Sequence, residues 1–219
     1  MSRVVVEHLS KEYVLKAGFV KQVSGRSGVV RAVSDISFTM EEGEILGLVG
    51  ESGCGKTTLG KMLVKIEEAT SGRILIDDID VTRMKRKDKR TFRKDVQMIF
   101  QDPYDSLDPK FTVCDVIAEP LKYLKLAKGE QEIREKVTEM LQKVELSPPE
   151  LFIDRYPHRL SGGQRQRVAI ARALVVEPKF VVADEPVSML DVSIRAGVLN
   201  LLQKLNREQG IGVLLITHD

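Results

Sequence analysis

Short apolar runs rich in β-branched residues recur along the chain and read as strands. They are RVVVEHL (3–9), VSDISFTM (33–40), EILGLVG (44–50), RILIDD (73–78), VQMIF (96–100), FVVAD (180–184) and VLLIT (213–217). The runs 44–50, 180–184 and 213–217 lack polar alternation, which predicts strands buried on both faces of a parallel sheet. Helical stretches fall between them, at 56–66, 130–145, 163–175 and 192–209. From about Asp102 to Val176 the texture changes: helices and loops, a break at SPPE (147–150), and no strand pattern. This predicts an α/β fold in which a helical subdomain, about residues 102–176, is inserted into one core built from 1–101 and 177–219. The whole of 1–219 is then a single domain. Residues 16–31 read as a Gly/Ser/basic loop leaving an early β region.

Composition changes this picture little. The 219 residues are 42% hydrophobic, enough for one sizeable core, and 34 basic against 32 acidic residues give a net charge of +2. That balance argues neither for nor against nucleic acid. The 2 cysteines, Cys54 and Cys114, have no spacing that implies a metal site or a disulfide framework. A signal peptide and a membrane span of roughly 18 apolar residues are both absent from the pattern. The run RMKRKDKRTFRK (83–94) carries eight basic residues and a single aromatic, Phe92. It reads first as a solvated basic helix face, with a nucleic-acid or lipid patch as the lesser alternative, and one aromatic is thin for a base-stacking surface.

Chemistry enters at GESGCGKTT (50–58), which fits G-x-x-x-x-G-K-[ST] between a buried strand and a helix. The glycines let successive backbone N–H groups face one concavity, and the helix N-terminus adds its positive end. Gly50, Glu51, Ser52, Gly53, Cys54, Gly55, Lys56, Thr57 and Thr58 are therefore expected to cradle nucleotide phosphates. Lys56 would reach the β- and γ-phosphates, and the Thr57 hydroxyl would hold Mg²⁺. FVVADEP (180–186) ends a strand in two acids. Asp184 is placed to hold Mg²⁺ through water, and Glu185 to orient and deprotonate an attacking water. LSGGQRQRVAIARAL (160–174) opens a second helix with Ser161 as N-cap and Gly162 and Gly163 at its entrance.

The ordered set GESGCGKT, LSGGQ, VVADE, SMLD and LLITHD resembles that of ABC-type ATPases over essentially the whole chain. The resemblance implies a P-loop NTPase fold: an ABC-type ATPase core with an antiparallel β region and an inserted helical subdomain. It places Gln101 at the glutamine that senses Mg²⁺ and the attacking water, and His218 at the histidine that contacts the γ-phosphate. Ser161, Gly162, Gly163 and Gln164 become the signature that meets the nucleotide of the other protomer, and Asp191 the D-loop acid. The resemblance makes Tyr13, after the first strand, the first choice for the aromatic that stacks on adenine; the loop 16–31 is longer than usual there and leaves Phe19 or another residue as the alternative. Thr57, Gln101 and Asp184 form the Mg²⁺ set, and Glu185, Gln101 and His218 the catalytic set.

FQDPYDSLDPKFTV (100–113), RYPHRLSGGQRQRVAIARAL (155–174) and DEPVSMLDVSIRAGVLNLL (184–202) resemble oligopeptide and dipeptide importer ATPases, a pattern shared with nickel importers. Arg159, where that group commonly has an acid, and Met189, where it has a small residue, depart from it. The expected function is an ATP-hydrolysing, energy-coupling subunit on the cytoplasmic face of the cell membrane. Its cofactors are ATP and Mg²⁺. Its partners are a second ABC ATPase domain of the same or a related chain, integral membrane permease subunits and, indirectly, a substrate-binding protein, with no nucleic acid. The alternative class is a soluble ABC-type ATPase acting on nucleic acid or ribosomes; the long coiled coil or second cassette of such proteins has no counterpart in the pattern. The family continues beyond the switch histidine, whereas this sequence ends at Asp219. The expectation is therefore a fragment that binds MgATP, hydrolyses it feebly and dimerises weakly.

Overall fold

The computed structural model describes residues 3–14, 28–84 and 88–218. Phe19, most of the loop 16–31 and residues 85–87 of the basic run lie outside these. Two four-stranded sheets organise the described chain. The first is antiparallel, in the order β2 (Val29–Met40), β1 (Val4–Val14), β4 (Ser71–Ile76), β5 (Ile79–Asp80). The second is parallel, in the order β3 (Ile45–Val49), β8 (Gly212–Thr217), β7 (Phe180–Asp184), β6 (Val96–Ile99).

Helix α1 (Lys56–Leu63) is packed between the two sheets. Its Leu59, Met62 and Leu63 share one buried cluster with Val4, Val6 and Leu9 of β1 and with Phe180, Val182, Leu214 and Ile216 of the parallel sheet. The opposite face of that sheet contributes Ile99, Val181, Ala183 and Val213 to a second cluster. This one joins the chain's helical part. Helix α2 (Lys89–Asp95) precedes β6, and α3 (Pro103–Ser106), α4 (Val113–Leu124), α5 (Glu130–Lys143) and α6 (Gly162–Leu174) follow it. Helix α7 (Val192–Gln209) leads into β8. Between β6 and β7 the described residues contain no strand, as the texture of 102–176 predicts.

Several boundaries move for local reasons. The helix expected over 56–66 stops at Leu63, because Lys65 takes φ 56 and Ile66 N donates back to Lys61 O at 2.9 Å. The strand expected over 73–78 ends at Ile76, where Asp77 and Asp78, at φ 50 and 62, turn the chain into β5. Positive φ at both central residues is what a tight two-residue hairpin demands. The run 44–50 is not buried on both faces. As β3 it pairs only with β8 and forms an edge of the sheet, leaving Ile45 39% and Val49 65% exposed. By contrast β7, flanked on both sides, is buried at all five positions. Phe92 of the basic run is core rather than surface, which removes the one aromatic there from any stacking role.

Parallel register sets the site. Val49 pairs with Thr217, Asp184 with Ile216 and Ile99 with Ala183, so the carboxyl ends of all four parallel strands lie along one edge. The segments that leave those ends begin at Gly50, Phe100, Glu185 and His218. In open α/β sheets this edge is where ligands bind.

Candidate active site

At the end of β3 the chain enters the glycine loop with Gly53 at φ 80 and Gly55 at φ 99. Only glycine fits at 55, since a Cβ there would lie 2.0 Å from Ala32 O. Gly55 is also the N-cap of α1 and offers no side-chain cap. The first N–H groups of that helix therefore face outward with the positive end of its dipole. The buried Lys56 ammonium donates to Gly50 O at 2.6 Å and Glu51 O at 2.7 Å, and lies 3.8 Å from Cys54 Sγ. A lysine folded under the loop in this way presents its charge to whatever the loop encloses.

Across the edge, Thr57 Oγ1 donates to Asp184 Oδ1 at 3.1 Å. Burial at the end of β7 pushes the Asp184 carboxyl above its ordinary value, the Thr57 hydroxyl pulls it down, and neighbouring Glu185 pushes it up again. A hydroxyl and a carboxylate in contact are hard oxygen donors suited to Mg²⁺, which keeps waters and phosphate oxygens in its remaining positions. A larger protein cage is missing among the described residues, where no three His, Cys, Asp or Glu side chains gather.

Glu185 takes φ 45, an unusual backbone for a residue with a side chain, fixed by Glu185 N donating to Ile216 O at 2.9 Å. Its carboxylate is held from two sides. Gln101 Nε2 donates to Glu185 Oε2 at 2.9 Å, and His218 Nδ1 lies 3.1 Å from the same oxygen. Two side chains, from the ends of β6 and β8, thus converge on one carboxylate oxygen at the end of β7. A cavity of about 590 Å³ joins them to the loop: Ser52, Gly53, Gly55, Lys56, Thr57 and Thr58 form one side of it, and Gln101, Glu185 and His218 the other.

Residues 33–188 match the ABC transporter family. The chain belongs to the ABC transporter family. It is 48% identical over 215 residues to the oligopeptide transport ATP-binding protein OppF of Bacillus subtilis, covering 98% of this chain and 67% of that one. The OppF of Escherichia coli is 48% identical over 190 residues, 87% of this chain and 56% of its own length. A probable peptide ABC transporter ATP-binding protein of Sinorhizobium fredii is 46% identical over 214 residues, 98% of this chain and 59% of that one. The chain thus spans between about half and two thirds of the length of such relatives. Among solved structures, a dimeric post-hydrolysis ATP-binding cassette bound to ADP and Pi superposes with a TM-score of 0.84 at 32% identity. It covers 99% of this chain and 88% of that one.

In this ABC transporter chain the signature stands apart from the loop. Ser161, Gly162, Gly163, Gln164 and Asp191 are all absent from the wall of the cavity at Lys56. Ser161 Oγ accepts from Gln164 N at 3.3 Å while Gln164 Oε1 accepts from Ser161 N at 3.0 Å, a reciprocal cap on α6. Ser161 is exposed at that entrance, but Gly163 is buried, and a Cβ on it would stand 2.7 Å from Ile194 Cγ2. Asp191 N-caps α7. Tyr13 is not on the cavity wall either: it pairs with Val30 in the β1–β2 ladder, and Lys11 Nζ sits 4.8 Å from its ring centroid. The wall at that end is Val30, Arg31 and Ala32, and Ser188 and Met189 complete it opposite. The strand pattern, which begins at Val33, misses the first three. Recognising that β2 starts at Val29 and runs past the loop at Gly55 is the signal that finds them.

Proposed function

We propose that this chain is the ATP-hydrolysing, energy-coupling subunit of an importer for short peptides. One observation carries the catalytic half of this reading: the Glu185 carboxylate, in strained backbone, is shared by Gln101 and His218 at the mouth of a loop that holds Lys56. Lys56 and the outward N–H groups of α1 neutralise and orient the phosphates. Glu185 accepts the proton of the attacking water, while Gln101 and His218 fix the direction of its free lone pairs. Thr57 and Asp184 would hold Mg²⁺, with Gln101 beside them; the ion, when bound, supplies charge neutralisation across the β- and γ-phosphates.

The transport half rests on the oligopeptide transport ATP-binding proteins to which the chain is nearly half identical. By the same likeness the chain would dock on permease subunits at the inner face of the membrane; no described helix is long and apolar enough to cross one. The exposed entrance of α6, standing away from its own cavity, fits a role in trans: Ser161 to Gln164 would cover the nucleotide of a second such domain. Nucleotide binding would then close the pair, and hydrolysis release it.

The test is nucleotide affinity and membrane capture in one set of preparations. Lys56→Ala should lose most of its ATP affinity, measured with a fluorescent nucleotide. The unaltered chain should co-purify with peptide-permease subunits and not with nucleic acid. Near-normal ATP binding by the variant removes the P-loop assignment, and capture of nucleic acid in place of permease removes the transport role.

A further inference from the structure

Between Asp154 and Glu177 the chain carries five arginines and one histidine, and not one acid. Such a stretch is electropositive unless its cations are engaged within the fold. Most of them are. Arg155 lies over the Phe152 ring, 5.5 Å from its centroid, and His158 is stacked on Tyr156. Arg167 donates to Val144 O and to the Glu145 carboxylate, both at 2.7 Å, and Arg172 to Ser106 O at 2.6 Å. Arg165 folds back on the turn before α6, its Nε donating to Pro157 O at 2.7 Å. Arg159 is the exception. It is exposed, and its side chain makes no ion pair, hydrogen bond or ring contact among the described residues.

The backbone decides where this free cation stands. The tight turn Pro157–Arg159 is closed by Leu160 N donating to Pro157 O at 3.1 Å, and Arg165 braces the same carbonyl. Leu160 is then extended, at φ −102 and ψ 151, and its side chain is buried. Along extended backbone, side chains two positions apart share a face. Arg159 and the N-cap Ser161 therefore stand together on the side opposite Leu160, and both are exposed. Two extended residues span at most about 7 Å, within the reach of an arginine side chain. Whatever meets Ser161 Oγ and the first N–H groups of α6 is thus in range of the Arg159 guanidinium. That group keeps its charge at any working pH and carries five donors, a match for phosphate oxygens.

We propose that Arg159 binds nucleotide in trans: when two domains close, its guanidinium meets the phosphates of the ATP held in the other domain's loop. The proposal rests on the reading above, in which the α6 entrance acts on a second domain. Arg159 stands where the importers that this sequence resembles commonly have an acid, so the contact is a property of this chain and not of the shared motifs. It makes closure of the pair depend on one more positive charge than the signature supplies.

The measurement is MgATP-driven pairing of the full chain, by sedimentation velocity, in a Glu185→Gln parent that leaves the nucleotide uncleaved. In saturating MgATP, Arg159→Gln should raise the protein concentration for half-pairing by about tenfold, the scale of one charge-assisted hydrogen bond. Arg159→Glu should raise it further, and Arg159→Lys, which keeps the charge, should recover most of the loss. Added salt should weaken pairing of the parent more steeply than pairing of Arg159→Gln. A fluorescent ATP analogue should meanwhile bind the loop of each variant, as separate chains, within about twofold of the parent affinity. If Arg159→Gln or Arg159→Glu pairs as readily as the parent, or Arg159→Lys recovers nothing, the proposal is overturned and the trans reading of α6 stands. A fall in the affinity of separate chains overturns it too, because Arg159 then serves its own loop or the fold. If the parent fails to pair on MgATP while its loop binds the analogue, it is the trans reading that falls.

Discussion

Glu185 combines a left-handed backbone with a carboxylate held at one oxygen by two neighbours. A non-glycine residue in that region costs about 1–3 kcal/mol, a strain that persists where surrounding structure over-determines it. Glu185→Gln keeps the shape and removes the base, so MgATP binding should survive while turnover falls by roughly 10²–10⁴-fold. A loss below about tenfold in steady-state phosphate release would reassign the base. Asp184 makes a different prediction. Burial raises its folded pKa above the ordinary 3.8. An acid shifted in that direction favours the folded state fully below the unfolded pKa, and the benefit is lost as pH rises through the raised folded pKa. At neutral pH the ionised group therefore works against stability. Asp184→Asn should raise the Tm at pH 7–8, by about 2–4 °C for each kcal/mol relieved. The gap should close as the pH falls below the carboxylate range, and hydrolysis should be lost. A variant that melts lower at pH 8 would mean that the charge is compensated in the apo fold. Both acids were readable in the sequence because phosphate chemistry requires those residue types at those spacings. Val30 to Ala32 were not, because a strand can wall a cavity with backbone and almost any side chain.

Asn206, near the end of α7, ties three elements together. Its buried Nδ2 donates to Gly43 O at 2.9 Å, in the turn before β3, and to Ile211 O at 2.6 Å, just before β8. Asn206→Ala leaves two carbonyls without that donor in a largely water-excluded place, and should cost about 1–3 kcal/mol in urea unfolding. A change below about 0.5 kcal/mol would mean that water replaces the bond. Nothing in the pattern of α7 singles out this residue, since its partners are backbone atoms far away or beyond the helix. The elements themselves were legible where period and length agreed. Strand β7 spans the same five residues in sequence and structure, and α7 the same eighteen. Hydrophobicity alone gives the run at β3 as doubly buried, because it records what a strand can bury, not where the strand falls in the sheet order. The ends of α1 and β4 moved because single residues at positive φ, Lys65 and the pair Asp77 and Asp78, decide where regular structure stops.

At the scale of the whole molecule, the two halves of the chemistry point to different places. The loop, Glu185 and His218 gather around one cavity, while the reciprocal cap of Ser161 and Gln164 holds the α6 entrance outside it. If the signature acts on a second domain, a defect in the loop and a defect in the signature should complement when they are carried by different chains. Lys56→Ala removes the phosphate charge partner, and Ser161→Glu puts a like charge where the γ-phosphate of the other domain would lie. Each variant alone should be nearly inactive. In an equal mixture, half the pairs are mixed, and each mixed pair has one intact composite site made from the loop of the Ser161→Glu chain and the signature of the Lys56→Ala chain. With independent sites the mixture should recover about a quarter of the unaltered activity, as random pairing of a two-fold assembly requires. Lower recovery would show that the two sites must fire together. A mixture no more active than its two components would place the signature's role within its own chain.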